Sequence, residues 1–218
     1  MRSVPTRRLI WVPIIHTRAD LGSLSGLARQ LYVRRVGQTR WNRHVESVEG
    51  MWEGIRRAVE ALDLPAKGLR LYQDGLPNCG HEMDIVRDLA RAGSPNHQLL
   101  LDLVAKGAVV TGTESPELLL QEYELTQQIL TRLESAPAGV ALRATLAESA
   151  KRGRAMQGPR ELGKALLEKR DRYLADRIDR TLSPQETGLV FLGMLHSLTG
   201  LLPANVQVTR LRYAHRLT

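Results

Sequence analysis

A chain of 218 residues, 43% hydrophobic but only 4% aromatic, is long enough to bury one core of Leu, Val, Ile and Ala, and is read as a single domain. The formal net charge of +8 comes with arginine spread over nearly every segment and set beside acids, as in Glu168-Lys169-Arg170-Asp171-Arg172, which argues against a nucleic-acid or other polyanion partner and for solvated helix faces. The single cysteine, Cys79, excludes an intramolecular disulfide framework and a multi-cysteine zinc site and suits a reducing cytoplasm; no apolar run reaches the ~18 residues of a membrane span.

The basic start Arg2, Arg7, Arg8 precedes an apolar run, Leu9–Ile15, that is too short for a secretory signal and reads as a buried strand ending at His16. Asp20 is then expected to cap a helix carrying Leu21, Leu24, Ala28 and Leu31, with Gly22 and Gly26 allowing close approach to a neighbour. Trp41, Val45, Val48, Trp52, Ile55, Val59 and Leu62 alternate steps of four and three, the signature of one long amphipathic helix. Its stripe would lie across the chain's own sheet, or form the seam of a homodimer.

Asp63-Leu64-Pro65 closes that helix, and Leu69–Tyr72 reads as a second strand running into Gln73-Asp74-Gly75-Leu76-Pro77. Met83, Val86 and Leu89 restore helical spacing until Gly93. Ser94-Pro95 supplies an N-cap and an N1 proline for a helix over Asn96–Lys106. Ala108–Thr111 is a third strand, followed by Gly112-Thr113-Glu114 and by a helix opened by Ser115-Pro116, with the stripe Leu118, Leu125, Ile129, Leu133. Residues 134–161 change character around Pro137, Gly139, Gly153, Gly158 and Pro159, as a helical lid or surface insertion would. Helical spacing returns over Leu162–Leu182, then Ser183-Pro184 precedes the strand Gly188–Leu195, and Val206–Leu211 alternates like an edge strand. Helices between strands predict an α/β fold with a largely parallel central sheet, helices on both faces, and an antiparallel C-terminal strand.

Four strands, all taken as inner ones, are each followed by a residue capable of acid, base or ligand chemistry: His16, Asp74, Glu114 and His196. In a parallel sheet these ends share one rim, where ligands of open α/β folds bind. A fifth candidate lies on the helix Leu162–Leu182. Asp171 completes the apolar step between Leu167 and Leu174, so a carboxylate falls on the face to be buried and needs a partner there, Arg170 or a histidine.

The segment Arg170–Ile178 followed by Gly188–His196 resembles the C-terminal half of the erythromycin-esterase/ChaN/TraB-type superfamily, which includes the TIKI metalloproteases. In that group an Arg-Asp helix precedes a hydrophobic strand ending in G-x-x-H, here Gly193–His196. The resemblance implies that the first-strand histidine of the family falls on His16, with Pro13 where a glycine is usual, and its acidic residue on Glu114. Members range from ester hydrolysis through metal-dependent peptide cleavage to haem binding, so it implies a site more firmly than a reaction.

The expected function is therefore a hydrolase-like protein acting on a small-molecule or peptide ligand. His16 or His196 would be general base, with the other histidine and Glu114 orienting it or sharing a divalent metal. Asp171 would fix a histidine tautomer, Arg170 would stabilise developing negative charge, and Asp74 would contact substrate. The alternative is a ligand-binding or regulatory protein that keeps the crevice without turnover.

Overall fold

The computed structural model describes residues 7–65, 67–135 and 149–214, with backbone alone over 149–157 and at 160. Along the chain run β1 (Arg7–Ile14), a 3-10 turn (Gly22–Leu24), α1 (Ser25–Val36), α2 (Gln38–Glu60), β2 (Leu69–Gln73), α3 (Glu82–Arg91), α4 (Pro95–Ala105), β3 (Val109–Thr111), α5 (Pro116–Glu134), α6 (Ser149–Thr181), β4 (Thr187–Gly193) and β5 (Val206–Arg210). The strands form one sheet in the order β3-β2-β4-β1-β5, and every pairing is parallel.

The inner strands read as unbroken apolar runs because both their faces are covered. Ile10, Val12, Ile14, Leu71, Leu189 and Phe191 meet the buried face of α2 (Val48, Met51, Trp52, Ile55, Val59) together with Val86 of α3 and Leu99 and Leu100 of α4. On the other face Leu9, Tyr72, Val190 and Leu192 meet Leu174, Ala175, Ile178 and Leu182 at the C-terminal end of α6 and just beyond it. Each fully buried aliphatic side chain here contributes about 1.5–3 kcal/mol relative to exposure. The α2 stripe that could have formed a dimer seam is thus used within the chain from Val48 onward.

Two expectations about strands are corrected. β5 is parallel to β1, with Leu9 opposite Val208, and not antiparallel. The connection after β4 carries no helix, yet it passes over β1 on the α6 face, where Leu198 and Leu202 join the core, and so delivers β5 in the same direction. β3 is an edge strand rather than an inner one. Nor is α1 the capped, closely packed helix expected. Its N-cap is Leu24 with no side-chain cap, it buries no residue, and Gly22 and Gly26 have open space where a Cβ would stand. Ser94 and Ser115 do cap α4 and α5, accepting from the backbone N–H groups of His97 and Leu118. Within the supposed insertion 134–161, residues 136–148 lie outside the described residues, while 149–161 is continuous with α6 and carries Pro159 inside it.

The helices following β1 and β2 cover one face, whereas the connections of β3 and β4 run on the other. β4 therefore lies between two strands whose chains leave to the opposite face, the topological switch at whose carboxyl ends open α/β sheets place their ligands.

Candidate functional site

Backbone pairing carries each polar residue to that rim. Asp74 extends β2 by donating its N–H to Phe191 O on β4 at 2.9 Å, and Gly75, at φ +78°, turns the chain away from it. The β2–β3 pairing continues past its strands. Thr113 and Glu114 both donate N–H to Leu76 O (2.9 and 3.0 Å), Asn78 donates to Glu114 O (2.8 Å), and Thr113 Oγ1 accepts from Gln73 N–H (3.0 Å). His196 folds back over its own strand end by donating N–H to Gly193 O at 3.1 Å. α6 then presents Arg170 and Asp171 from above, both buried.

These side chains converge on Asp74. His16 Nε2 lies 3.1 Å and His196 Nε2 3.3 Å from its Oδ2, and Gly193 N–H donates to the same oxygen at 2.9 Å. Arg170 Nη2 donates to Asp74 Oδ1 at 2.8 Å and to Glu114 Oε1 at 2.7 Å, Nε reaches Glu114 Oε2 at 3.2 Å, and Nη1 pairs with Glu122. His196 Nδ1 lies 2.6 Å from Asp171 Oδ1, whose other oxygen accepts from Ser197 N–H at 3.1 Å. Glu114 is wholly buried, Asp74, Arg170, Asp171 and His196 nearly so, whereas the side chains of His16 (36% exposed) and Glu122 (44%) reach solvent. Removing this many charges from water is costly even when they are paired. A packing role would be met by apolar residues of similar size, so the concentration of charge points to chemistry.

The electrostatics separate the two histidines. Burial opposes a charge on His196, but its bonds to Asp171 and Asp74 outweigh that and push its pKa up to about 10. At neutral pH it is an imidazolium with a carboxylate on each nitrogen. His16 is raised too, burial working against the charge and the bond to Asp74 for it. Burial alone would raise Asp74, yet the two histidines hold it well below the ordinary carboxylate range. Glu114 is raised because its burial exceeds the compensation from Arg170, whose own pKa is raised by Glu114 and Asp74 in spite of its burial.

No family model, curated protein or solved structure matches the chain. What the site can do rests on its own geometry.

All six residues singled out from the sequence, His16, Asp74, Glu114, Arg170, Asp171 and His196, meet in this one cluster, but three stand otherwise than expected. Asp74, placed toward substrate, is the buried hub. Arg170, placed toward developing negative charge, is enclosed by three carboxylates that already neutralise it. The residues whose ligand atoms all lie within 4.8 Å of one another are Asp74, Glu114 and His196, so among the described residues Asp74 takes the place expected for His16 in a metal-binding trio. Two carboxylates and an imidazole fit a divalent ion such as Zn²⁺ or Mn²⁺. Asp171 on Nδ1 adds the outer carboxylate that orients a ligating histidine and fixes its tautomer.

Glu122, on α5, and the backbone N–H of Gly193 belong to the cluster and were not read from the sequence. Glu122 sits on a polar helix face like any solvated glutamate. Gly193 did carry a signal as the first residue of G-x-x-H, where a Cβ would lie 2.9 Å from Asp74 Oδ2 and 3.6 Å from His16 Nε2. Only glycine closes the cluster. Among the described residues no helix is long and apolar enough to cross a membrane.

Proposed function

We propose that the protein is a divalent-metal-dependent hydrolase of the ester or peptide class, related in mechanism to the superfamily that its Arg-Asp helix and G-x-x-H strand resemble. The observation that carries this reading is the convergence of His16 and His196, from opposite ends of the sequence, on one buried oxygen of Asp74 beside Glu114. Asp74, Glu114 and His196 would hold the ion, and a divalent ion there supplies Lewis-acid polarisation of a scissile carbonyl.

The protein's own groups account for the rest. His16 is the half-exposed base, able to take a proton from water and pass it to the leaving group, with Asp74 orienting its Nε2. His196 is kept protonated by Asp171 and Asp74, so it does not serve as base at neutral pH and would have to lose its Nε2 proton to ligate an ion. Arg170 pairs with both Asp74 and Glu114 and offsets part of the cost of burying their charges. The ligand is a small molecule or peptide segment approaching from the His16 side, and a single free cysteine suits a reducing cytoplasm.

One feature favours a second reading, a ligand-binding protein without turnover: each carboxylate of the cluster already has a cationic partner. Hydrolysis of p-nitrophenyl acetate and of a fluorogenic peptide library, with Zn²⁺ or Mn²⁺ and with EDTA, separates the two. The proposal expects EDTA-sensitive hydrolysis that is lost in Asp74→Asn and reduced, but still measurable, in His16→Ala. Absence of turnover would favour the binding reading, and turnover that survives EDTA would contradict the metal dependence.

A further inference from the structure

The irregular segment that carries His16 is fastened on both sides. Ahead of it, Tyr213 Oη donates to Pro13 O at 2.8 Å and Trp52 Nε1 donates to Ile15 O at 3.2 Å. Behind it, Thr17 gives both its backbone N–H (2.7 Å) and its hydroxyl (2.9 Å) to Asp20 Oδ2. Asp20 is in turn anchored to α4. Its Oδ1 accepts from Ser94 Oγ at 2.7 Å and lies 3.4 Å from His97 Nδ1, which is 2.8 Å from Ser94 Oγ.

This second cluster shares no residue with the Asp74 cluster and is closed to solvent, Ser94 being 0% and His97 4% exposed. It is not a second Ser-His-Asp site. The serine and the carboxylate face the same imidazole nitrogen, whereas a nucleophile relay needs them on opposite nitrogens, and no substrate reaches a fully buried hydroxyl. Burial opposes the Asp20 charge, yet the bonds from His97, Ser94 and Thr17 hold its carboxyl down at about 2, so the anchor stays anionic throughout the working pH range.

We infer that Asp20, clamped by Ser94 and His97, is the positioning residue of His16. It fixes Thr17, and through one peptide step holds the His16 ring against Asp74 Oδ2 where strand pairing no longer does. The catalytic consequence rests on the proposed role of His16, whereas the positioning itself does not.

The test uses the full chain with ¹⁵N-labelled histidine. Asp20→Asn and the milder Ser94→Ala are expected to shift or broaden the His16 ring resonances at pH 7 while leaving those of His44 and His81 in place. Both should lower kcat for p-nitrophenyl acetate by roughly 10–100-fold, the cost of a lost outer-sphere partner, with KM unchanged and with no further loss on a His16→Ala background. Unchanged His16 resonances in Ser94→Ala would overturn the inference, as would an equal kcat loss with and without His16. If the parent protein hydrolyses nothing, the resonances alone decide, and the failure belongs to the proposed function.

Discussion

Gly193 and Asp74 meet through a single short contact, the backbone N–H of Gly193 donating to Asp74 Oδ2 at 2.9 Å, on the same oxygen that both histidine rings approach. The sheet backbone is therefore itself part of the site, and the absence of a side chain at 193 is what lets two imidazoles close on one carboxylate.

Gly193→Ala places its Cβ inside the space of Asp74 Oδ2. Asp74 could yield only by giving up its contacts to Arg170 and the two histidines. The substitution is expected to cost about 1–3 kcal/mol of stability and to weaken Zn²⁺ binding more than tenfold. Urea denaturation and calorimetric titration check the two effects, and a variant that binds metal normally would show that Gly193 does not shape the cluster.

The folded-state pKa of His196 lies at about 10, above its ordinary value of 6.5. A raised histidine contributes stability that is fully present below 6.5 and is lost as pH rises through about 10. Metal-free protein should thus lose stability steadily across that window, and His196→Gln should flatten the slope. Equal slopes in the two proteins would mean that the imidazolium is not held between Asp74 and Asp171.

Arg170 is the common cation of Asp74, Glu114 and Glu122. Arg170→Met leaves Glu114 buried without its cationic partner and is expected to destabilise the fold by roughly 3–5 kcal/mol. Arg170→Lys should recover only part of this, because an ammonium cannot reproduce the forked contacts to two carboxylates. Chemical denaturation of the two variants measures both, and a neutral Arg170→Met would place the charge cluster outside the stable core.

The fold and the site were legible in the sequence to different depths. Leu9–Ile15 and Gly188–Leu195 read as inner strands because cover on both faces leaves no polar alternation, and the residues after them fall at the rim by topology alone. Asp171 was legible as a carboxylate on an apolar stripe. The direction of β5 was not, since alternation at Val206–Leu211 carries no orientation and nothing local states that the chain passes over β1. Asp20 was misread as a helix cap because a carboxylate before an apolar helical stripe usually caps. Here its oxygens are taken by Thr17 and by Ser94, 74 residues away, and only the packing of α4 against the rim brings them together. The surroundings of Arg170 were not legible for a similar reason, as its three partners come from three separate segments.

Asp171 accepts from His196 and Ser197 but does not belong to the metal-binding trio. Asp171→Asn should preserve the fold while lowering Zn²⁺ affinity roughly 10–100-fold, through a misdirected imidazole. Titration calorimetry beside a melting curve separates that outcome from simple destabilisation, in which both would fall together.

The central claim is that Asp74, Glu114 and His196 form a divalent-metal centre with His16 beside it. Calorimetric titration of metal-free protein with Zn²⁺ and Mn²⁺ at pH 7, in buffers of different ionisation enthalpy, tests it most directly. The account predicts one ion per chain, with the His196 proton released on binding, and no binding in Asp74→Asn or His196→Ala. Absence of binding in the parent protein, or binding that survives both substitutions, would contradict it.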